Sequence, residues 1–208
     1  LTFALPQNVI FAVKKYADAL VEVAKRKEID VKYQHNLVEI RPDKKEALLR
    51  KVDTGEDVVM KYDMIHVTPP MSSPDFLKNS PLANKEGWVE VNNETLQHNR
   101  FKNIFSIGDC SSLPTSKTAA AIRKQAPVLV HNLLSTIDGA PLNESYDGYT
   151  ACPIVTGYGS LILAEFDYDN NPMETFPFDQ SKPRWTMWIL KKYILPWMYW
   201  NKILKGTA

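Results

Sequence analysis

The chain has 208 residues and a mass of 23.7 kDa, 44% of it hydrophobic and 24% charged. That composition excludes a disordered or fibrous polymer and allows one large globular domain or two small ones. Lys and Arg number 25 against 24 Asp and Glu, a net +1 without the basic excess of a dedicated nucleic-acid binder, and two cysteines are too few for a disulfide-stapled secreted scaffold.

The N-terminal Leu1-Thr2-Phe3-Ala4-Leu5-Pro6 has no Met and no basic n-region, so a processed or truncated chain without a signal peptide is expected. Residues 8–28 space Val9, Ala12, Val13, Tyr16, Ala17, Leu20, Val21 and Ala24 three to four apart, which predicts a helix. Residues 29–33 and 37–40 alternate as strands. Residues 47–52 and 58–62 flank Asp53-Thr54-Gly55-Glu56-Asp57, where Gly55 suits a hairpin turn. Met64-Ile65-His66-Val67-Thr68 reads as a short buried strand stopped by Pro69-Pro70.

Residues 71–100 are rich in loop signals, with small strands expected at Trp88–Val91 and Ile104–Ile107. A helix is predicted from about Lys117 to Ile137, capped by Thr115 or Ser116 and closed by Asp138-Gly139, with a kink or restart at Pro127. Ile154-Val155 and Leu161–Phe166 form a hairpin across Gly157-Tyr158-Gly159. After a linker over 169–183, residues 184–205 are aromatic and helical, with a break at Pro196.

Asn103-Ile104-Phe105-Ser106-Ile107-Gly108-Asp109 is the strongest local signal. An apolar strand delivers Gly-Asp to a sheet edge, where glycine permits close approach and the carboxylate can accept bonds from ligand hydroxyls. The helix that follows offers N–H groups and a positive dipole end. By spacing alone, a plain strand-turn-helix fits equally well. Lys117 opposes the dipole at that helix start, so it reads either as a solvated lysine or as a cation kept for an anionic ligand.

Cys152, before Pro153, reads as a small buried hydrophobe or as a nucleophile, and Cys110 as a packing residue. No CxxC occurs, and the four histidines are scattered without ligand spacing, so no metal site is expected. The dinucleotide fingerprint is absent: Gly157-Tyr158-Gly159 is the only GxG, and Ile162 holds the third glycine's place. Trp185, Trp188, Tyr193, Trp197, Tyr199 and Trp200 alternate with Lys191, Lys192, Lys202 and Lys205, which suits either an interfacial membrane helix or a docked one.

Several of these segments together resemble the mitochondrial-type sulfide:quinone oxidoreductase family of the flavoprotein disulfide-reductase superfamily. They include His66-Val67-Thr68-Pro69-Pro70-Met71, Gly108-Asp109-Cys110, Leu113-Pro114-Thr115-Ser116-Lys117-Thr118-Ala119-Ala120-Ala121, Tyr146-Asp147-Gly148-Tyr149-Thr150, Cys152-Pro153, Leu163-Ala164-Glu165-Phe166-Asp167-Tyr168 and Glu174-Thr175-Phe176-Pro177-Phe178-Asp179-Gln180-Ser181-Lys182. Gly-Asp is shared across the superfamily, whereas the Cys-Pro and Glu-Thr-Phe-Pro-Phe-Asp-Gln-Ser-Lys blocks are far more specific.

The resemblance implies an α/β chain: the C-terminal portion of a two-dinucleotide-binding-domain (FAD/NAD-linked reductase) fold plus C-terminal aromatic amphipathic helices. Residues 1–70 would end a pyridine-nucleotide-like domain, 71–145 would return to the FAD domain, and 146–208 would form the quinone and membrane region. It implies FAD as cofactor, with Gly108, Asp109, Lys117 and Thr118 in its binding and Cys152 as the redox cysteine that takes up sulfane sulfur. Phe176, Phe178, Trp197 and Trp200 would lie near quinone and lipid. Hydrogen sulfide, ubiquinone and a sulfur acceptor such as glutathione or sulfite are the implied small-molecule partners. Monotopic attachment at the mitochondrial inner membrane is implied, and no nucleic acid.

The family's Gly-rich FAD fingerprint and its first redox cysteine are not in this sequence, so the segment alone is expected not to turn over sulfide. Two further readings stand beside this one: another membrane-associated flavoprotein of the superfamily, of NADH:quinone reductase type, and a non-enzymatic membrane-binding fragment.

Overall fold

In the computed structural model, which describes residues 1–207, β1 (Thr2–Ala4) and β2 (Asp30–Lys32) pair in parallel, with α1 (Lys14–Arg26) as the crossover between them. The helix starts later than its apolar spacing predicts. Val13 is extended and only 2% exposed, and the Phe11 ring meets Tyr16 edge-on, so the apolar stripe continues into the bend before the helix. β3 (His35–Arg41), β4 (Glu46–Lys51) and β5 (Asp57–Lys61) form an antiparallel meander. Ala47 and Leu49 face the interior on alternate positions, as a period-two strand requires. Gly55 takes φ +73° in the β4–β5 turn, the left-handed region expected of it. Leu1–Pro70 is one compact unit.

The strand expected at Met64–Thr68 does not form. Met64 is 85% exposed, and no ladder partner is present for the segment among the described residues. An apolar run with no neighbouring edge gains neither backbone bonds nor burial.

From Met71 onward the chain forms a second unit. It opens with a single helical turn, α2 (Asp75–Lys78). The strands expected at Trp88–Val91 and Ile104–Ile107 shorten to single bridges, Val89 with Ser111, Val91 with His98 and Gln97 with Phe105. Asn92 closes the first stretch at once, its side chain accepting the N–H groups of Glu94 and Thr95. Gly108–Cys110 is a short 3-10 turn leading towards α3 (Ala119–Ile137). This helix is continuous through Pro127, which is exposed, so its ring displaces no packed neighbour. Thr118, not Thr115 or Ser116, caps the helix, and Asp138 with Gly139 ends it as expected.

β6 (Thr150–Gly157) and β7 (Ser160–Phe166) form the expected antiparallel hairpin, with Cys152 opposite Ala164 and Ala151 opposite Glu165. The tail is helical, but its irregularity precedes Pro196. α4 (Trp185–Ile189) runs into a π-helical turn over Leu190–Ile194 and on into α5 (Leu195–Asn201). Pro196 has no N–H to donate and its ring would press on the preceding turn, which the wider π turn relieves. The core of this unit gathers Val89, Val91, Leu96, Leu113, Tyr146, Tyr149, Leu161, Leu163 and Met187. No helix among the described residues is long and apolar enough to cross a membrane.

Candidate functional site

The loop from Gly108 to Thr118 is tied to the helix it precedes and to the β6–β7 hairpin. Gly108 adopts φ +66°, is buried, and donates its N–H to Gln125 Oε1 at 2.9 Å. A Cβ at this position would sit 3.1 Å from Ile122 Cδ1. Glycine is therefore needed for the turn and for its packing on α3. Asp109 follows at the exposed corner of the turn, its carboxylate open to solvent.

Lys117 folds back over the same loop. Its Nζ donates to the Ser111 carbonyl at 2.6 Å and lies 4.4 Å from the centroid of the Trp88 ring. The dipole penalty for a cation at a helix start is about 0.3–1 kcal/mol. A cation–π contact of about 0.5–2 kcal/mol and the carbonyl bond offset it. Burial holds the Lys117 ammonium below its ordinary pKa, while the nearby Asp109 and Cys110 pull the other way. A partly desolvated cation close to an exposed carboxylate is thus fixed ahead of α3.

Thr118 Oγ1 accepts the Ala121 N–H at 3.1 Å and lies 3.0 Å from Thr150 Oγ1, which in turn donates to the Ser116 carbonyl at 3.1 Å. These bonds fasten the start of β6 to the start of α3. Two residues along β6 is the half-buried Cys152 thiol, with the Ser116 side chain in its surroundings. Burial pushes that thiol above its ordinary value, and Ser116 partly opposes the shift. Cys152 is thus a free, half-buried thiol whose burial disfavours the thiolate. Such a group is better placed to be attacked as one end of a sulfur bridge than to attack as a thiolate.

Side chains alternate along a strand, so Cys152 and Glu165 project from opposite faces of the hairpin. On the Glu165 face lies the segment with Phe176 and Phe178, whose rings stack at 5.3 Å and 16°, with Arg184 4.4 Å from the Phe178 centroid. Trp197 and Trp200 are on α5, 56% and 66% exposed, and Trp200 meets Tyr199 edge-on. The structure brings Gly108, Lys117, Thr118 and Cys152 together through the Ser111–Thr118 loop, and puts the Phe pair on the other side of the hairpin.

Sequence reasoning missed three parts of this arrangement. Trp88 stood alone in the sequence with no sign that it would meet Lys117. Thr150 enters the sequence reading only inside a longer block, and Ser116 only inside another and as a candidate cap for the helix. Glu165 carried the one legible signal, a carboxylate inside the apolar run Leu161-Ile162-Leu163-Ala164, and it is 3% exposed. Among the described residues no cluster of His, Cys, Asp and Glu could hold a metal.

No protein-family model matches the chain. Over 198 residues it is 54% identical to the mitochondrial sulfide:quinone oxidoreductase of Mus musculus and, over 198 residues, 52% identical to that of Dictyostelium discoideum. Each alignment takes in 95% of this chain, but only 44% and 43% of those two proteins. The chain therefore spans less than half the length of the curated relatives it matches. One chain of a cryo-EM structure of the Tetrahymena thermophila mitochondrial ATP synthase has a similar fold, with a TM-score of 0.81 and 26% identity over 95% of this chain and 48% of that one.

Proposed function

We propose that this chain, a relative of the mitochondrial sulfide:quinone oxidoreductases over nearly its whole length, works as the C-terminal part of an FAD-dependent enzyme that oxidises hydrogen sulfide and reduces ubiquinone. The carrying observation is the fastening of the start of β6, through Thr150 two residues before Cys152, to the Ser116–Thr118 loop at the start of α3, beside Lys117 and the exposed Asp109. Residues 1–70 would complete a pyridine-nucleotide-like domain, 71–145 would return to the FAD domain, and the remainder would serve quinone and membrane.

The residues present fit a flavin. Asp109 is an open carboxylate on a glycine-initiated turn, suited to ligand hydroxyls. Lys117 is a held cation, and α3 presents its positive end behind Thr118. FAD, when bound, would supply the two-electron relay from sulfur to quinone.

The chain's own part is to hold sulfur. Hydrosulfide attacks the Cys152 sulfur of a bridge to a second cysteine. The new S–S bond leaves Cys152 as a persulfide, and the old bond's electron pair leaves with the second thiolate. The resting Cys152 thiol, raised by burial, suits this role of attacked sulfur. A small acceptor such as glutathione or sulfite then removes the outer sulfur. The tail, with Trp197 and Trp200 exposed among lysines, would lie in the interface of the mitochondrial inner membrane as a monotopic attachment.

The test is Cys152→Ser in the full-length, flavin-loaded protein. Sulfide-dependent quinone reduction should fall at least about a hundredfold, as expected when a covalent step loses its sulfur. The flavin spectrum and its reduction by dithionite should not change. An undiminished rate would sink the assignment.

A further inference from the structure

Glu165 is a buried acid that the sulfur chemistry does not use. Its carboxylate is built into a two-sided clamp. Oε1 accepts from the Tyr149 hydroxyl and, at 2.8 Å, from Thr175 Oγ1. Oε2 accepts the Thr175 N–H at 2.8 Å and Gln180 Nε2 at 2.7 Å. Gln180, itself fully buried, uses Oε1 to accept the Phe176 N–H at 3.1 Å and Nε2 to reach the Leu163 carbonyl at 3.3 Å. One carboxylate on β7 therefore fixes the chain where it enters Phe176: Thr175 directly, and the Phe176 N–H through Gln180. Phe176 stacks on Phe178, so the clamp sets the ring pair as a whole.

We propose that Glu165 is a positioning residue for quinone reduction: it holds segment 174–180 rigid, so that the Phe176–Phe178 pair meets the planar quinone ring in one fixed orientation. The inference rests on the reading above that quinone binds at this pair. A loop lacking regular secondary structure would otherwise be ordered only when ligand arrives, at the expense of affinity. A charged acceptor with donors on both oxygens supplies that order in advance.

The substitution Glu165→Gln keeps the side chain's size. Its NH2 can face only the two hydroxyls, which then accept in place of donating, because the Thr175 and Gln180 N–H groups cannot, so the bonds persist but the charge that strengthens the clamp is lost. The experiment uses the full-length flavin-loaded protein and decylubiquinone. Glu165→Gln should raise the quinone KM about tenfold, the factor carried by one charged hydrogen bond. The sulfide KM and the stopped-flow rate of flavin bleaching by sulfide without quinone should stay unchanged. The equilibrium Kd for decylubiquinone, read by tryptophan-fluorescence quenching in the absence of sulfide, should rise by the same factor. Gln180→Ala, which removes the arm to Phe176 together with its anchors on Glu165 and the Leu163 carbonyl but leaves Thr175 on Glu165, should reproduce the pattern and serves if Glu165→Gln does not fold. Equal slowing of both half-reactions would overturn the proposal, because it would make the clamp merely structural. An unchanged quinone Kd in Phe176→Ala would overturn the reading beneath it. A raised Kd in Phe176→Ala with none in Glu165→Gln or Gln180→Ala would overturn the positioning role alone.

Discussion

At position 152 two opposing forces act on one thiol. Burial disfavours the thiolate, and the Ser116 side chain favours it, with burial the larger. Alkylation by iodoacetamide follows the thiolate fraction, so the folded protein should react more slowly at neutral pH than the same thiol after unfolding. The rate should climb with pH to a midpoint above the ordinary cysteine value. Ser116→Ala removes only the lowering contribution, so its midpoint should move higher still, measured in a Cys110→Ser background with a single thiol. A midpoint that moved down would show that Ser116 does not hold the thiolate. At this scale the sequence identified Cys152, Asp109 and Lys117 as residues of interest. It does not show which group lies near the cysteine, because Ser116 is 36 positions away in the chain and comes near it only through the fold.

At the scale of elements, the join between α3 and β6 hangs on Thr118. The side chain caps the helix and meets Thr150. Losing an N-cap alone costs about 1 kcal/mol, and a second, partly buried hydroxyl contact adds about 0.5–1.5 kcal/mol. Thr118→Ala should thus lower the urea-unfolding free energy by about 1.5–2.5 kcal/mol, whereas Thr118→Ser should stay near the parent. Equal stability of all three would mean that the two starts are joined by other contacts. The hairpins were legible because their signals are local: period-two alternation, a turn glycine, and strands adjacent in sequence. The cap was misplaced because Thr115, Ser116 and Thr118 carry the same chemistry, and only the pairing with Thr150 selects among them. Met64–Thr68 failed for the converse reason: apolar alternation needs a neighbouring edge that sequence does not reveal.

For the whole molecule, the net charge of +1 conceals a division along the chain. From residue 183 on there are five cations, Arg184, Lys191, Lys192, Lys202 and Lys205, and no acid, so the preceding residues carry −4. The same stretch exposes Trp185, Tyr193, Ile194, Trp197, Trp200 and Leu204. Cations near an anionic lipid surface contribute about 1 kcal/mol each, and the rings suit the headgroup level. Repulsion from the acidic remainder would act in the opposite sense. Its charges are spread over a larger surface, and at physiological ionic strength they are screened beyond about 8 Å. The contact should therefore be governed by the tail alone. The protein should float with vesicles containing anionic lipid and bind neutral vesicles much less. Binding should weaken steeply as salt is raised towards 0.5 M, on the order of a threefold shorter screening length than at 0.05 M. Substituting the five cations by Gln should reduce flotation on anionic vesicles to the neutral-vesicle level, while Trp197→Ser with Trp200→Ser should weaken binding on both. Flotation that ignored salt and lipid charge would assign the contact to apolar insertion without an electrostatic part, and loss of neither variant's binding would remove the tail from the interface altogether.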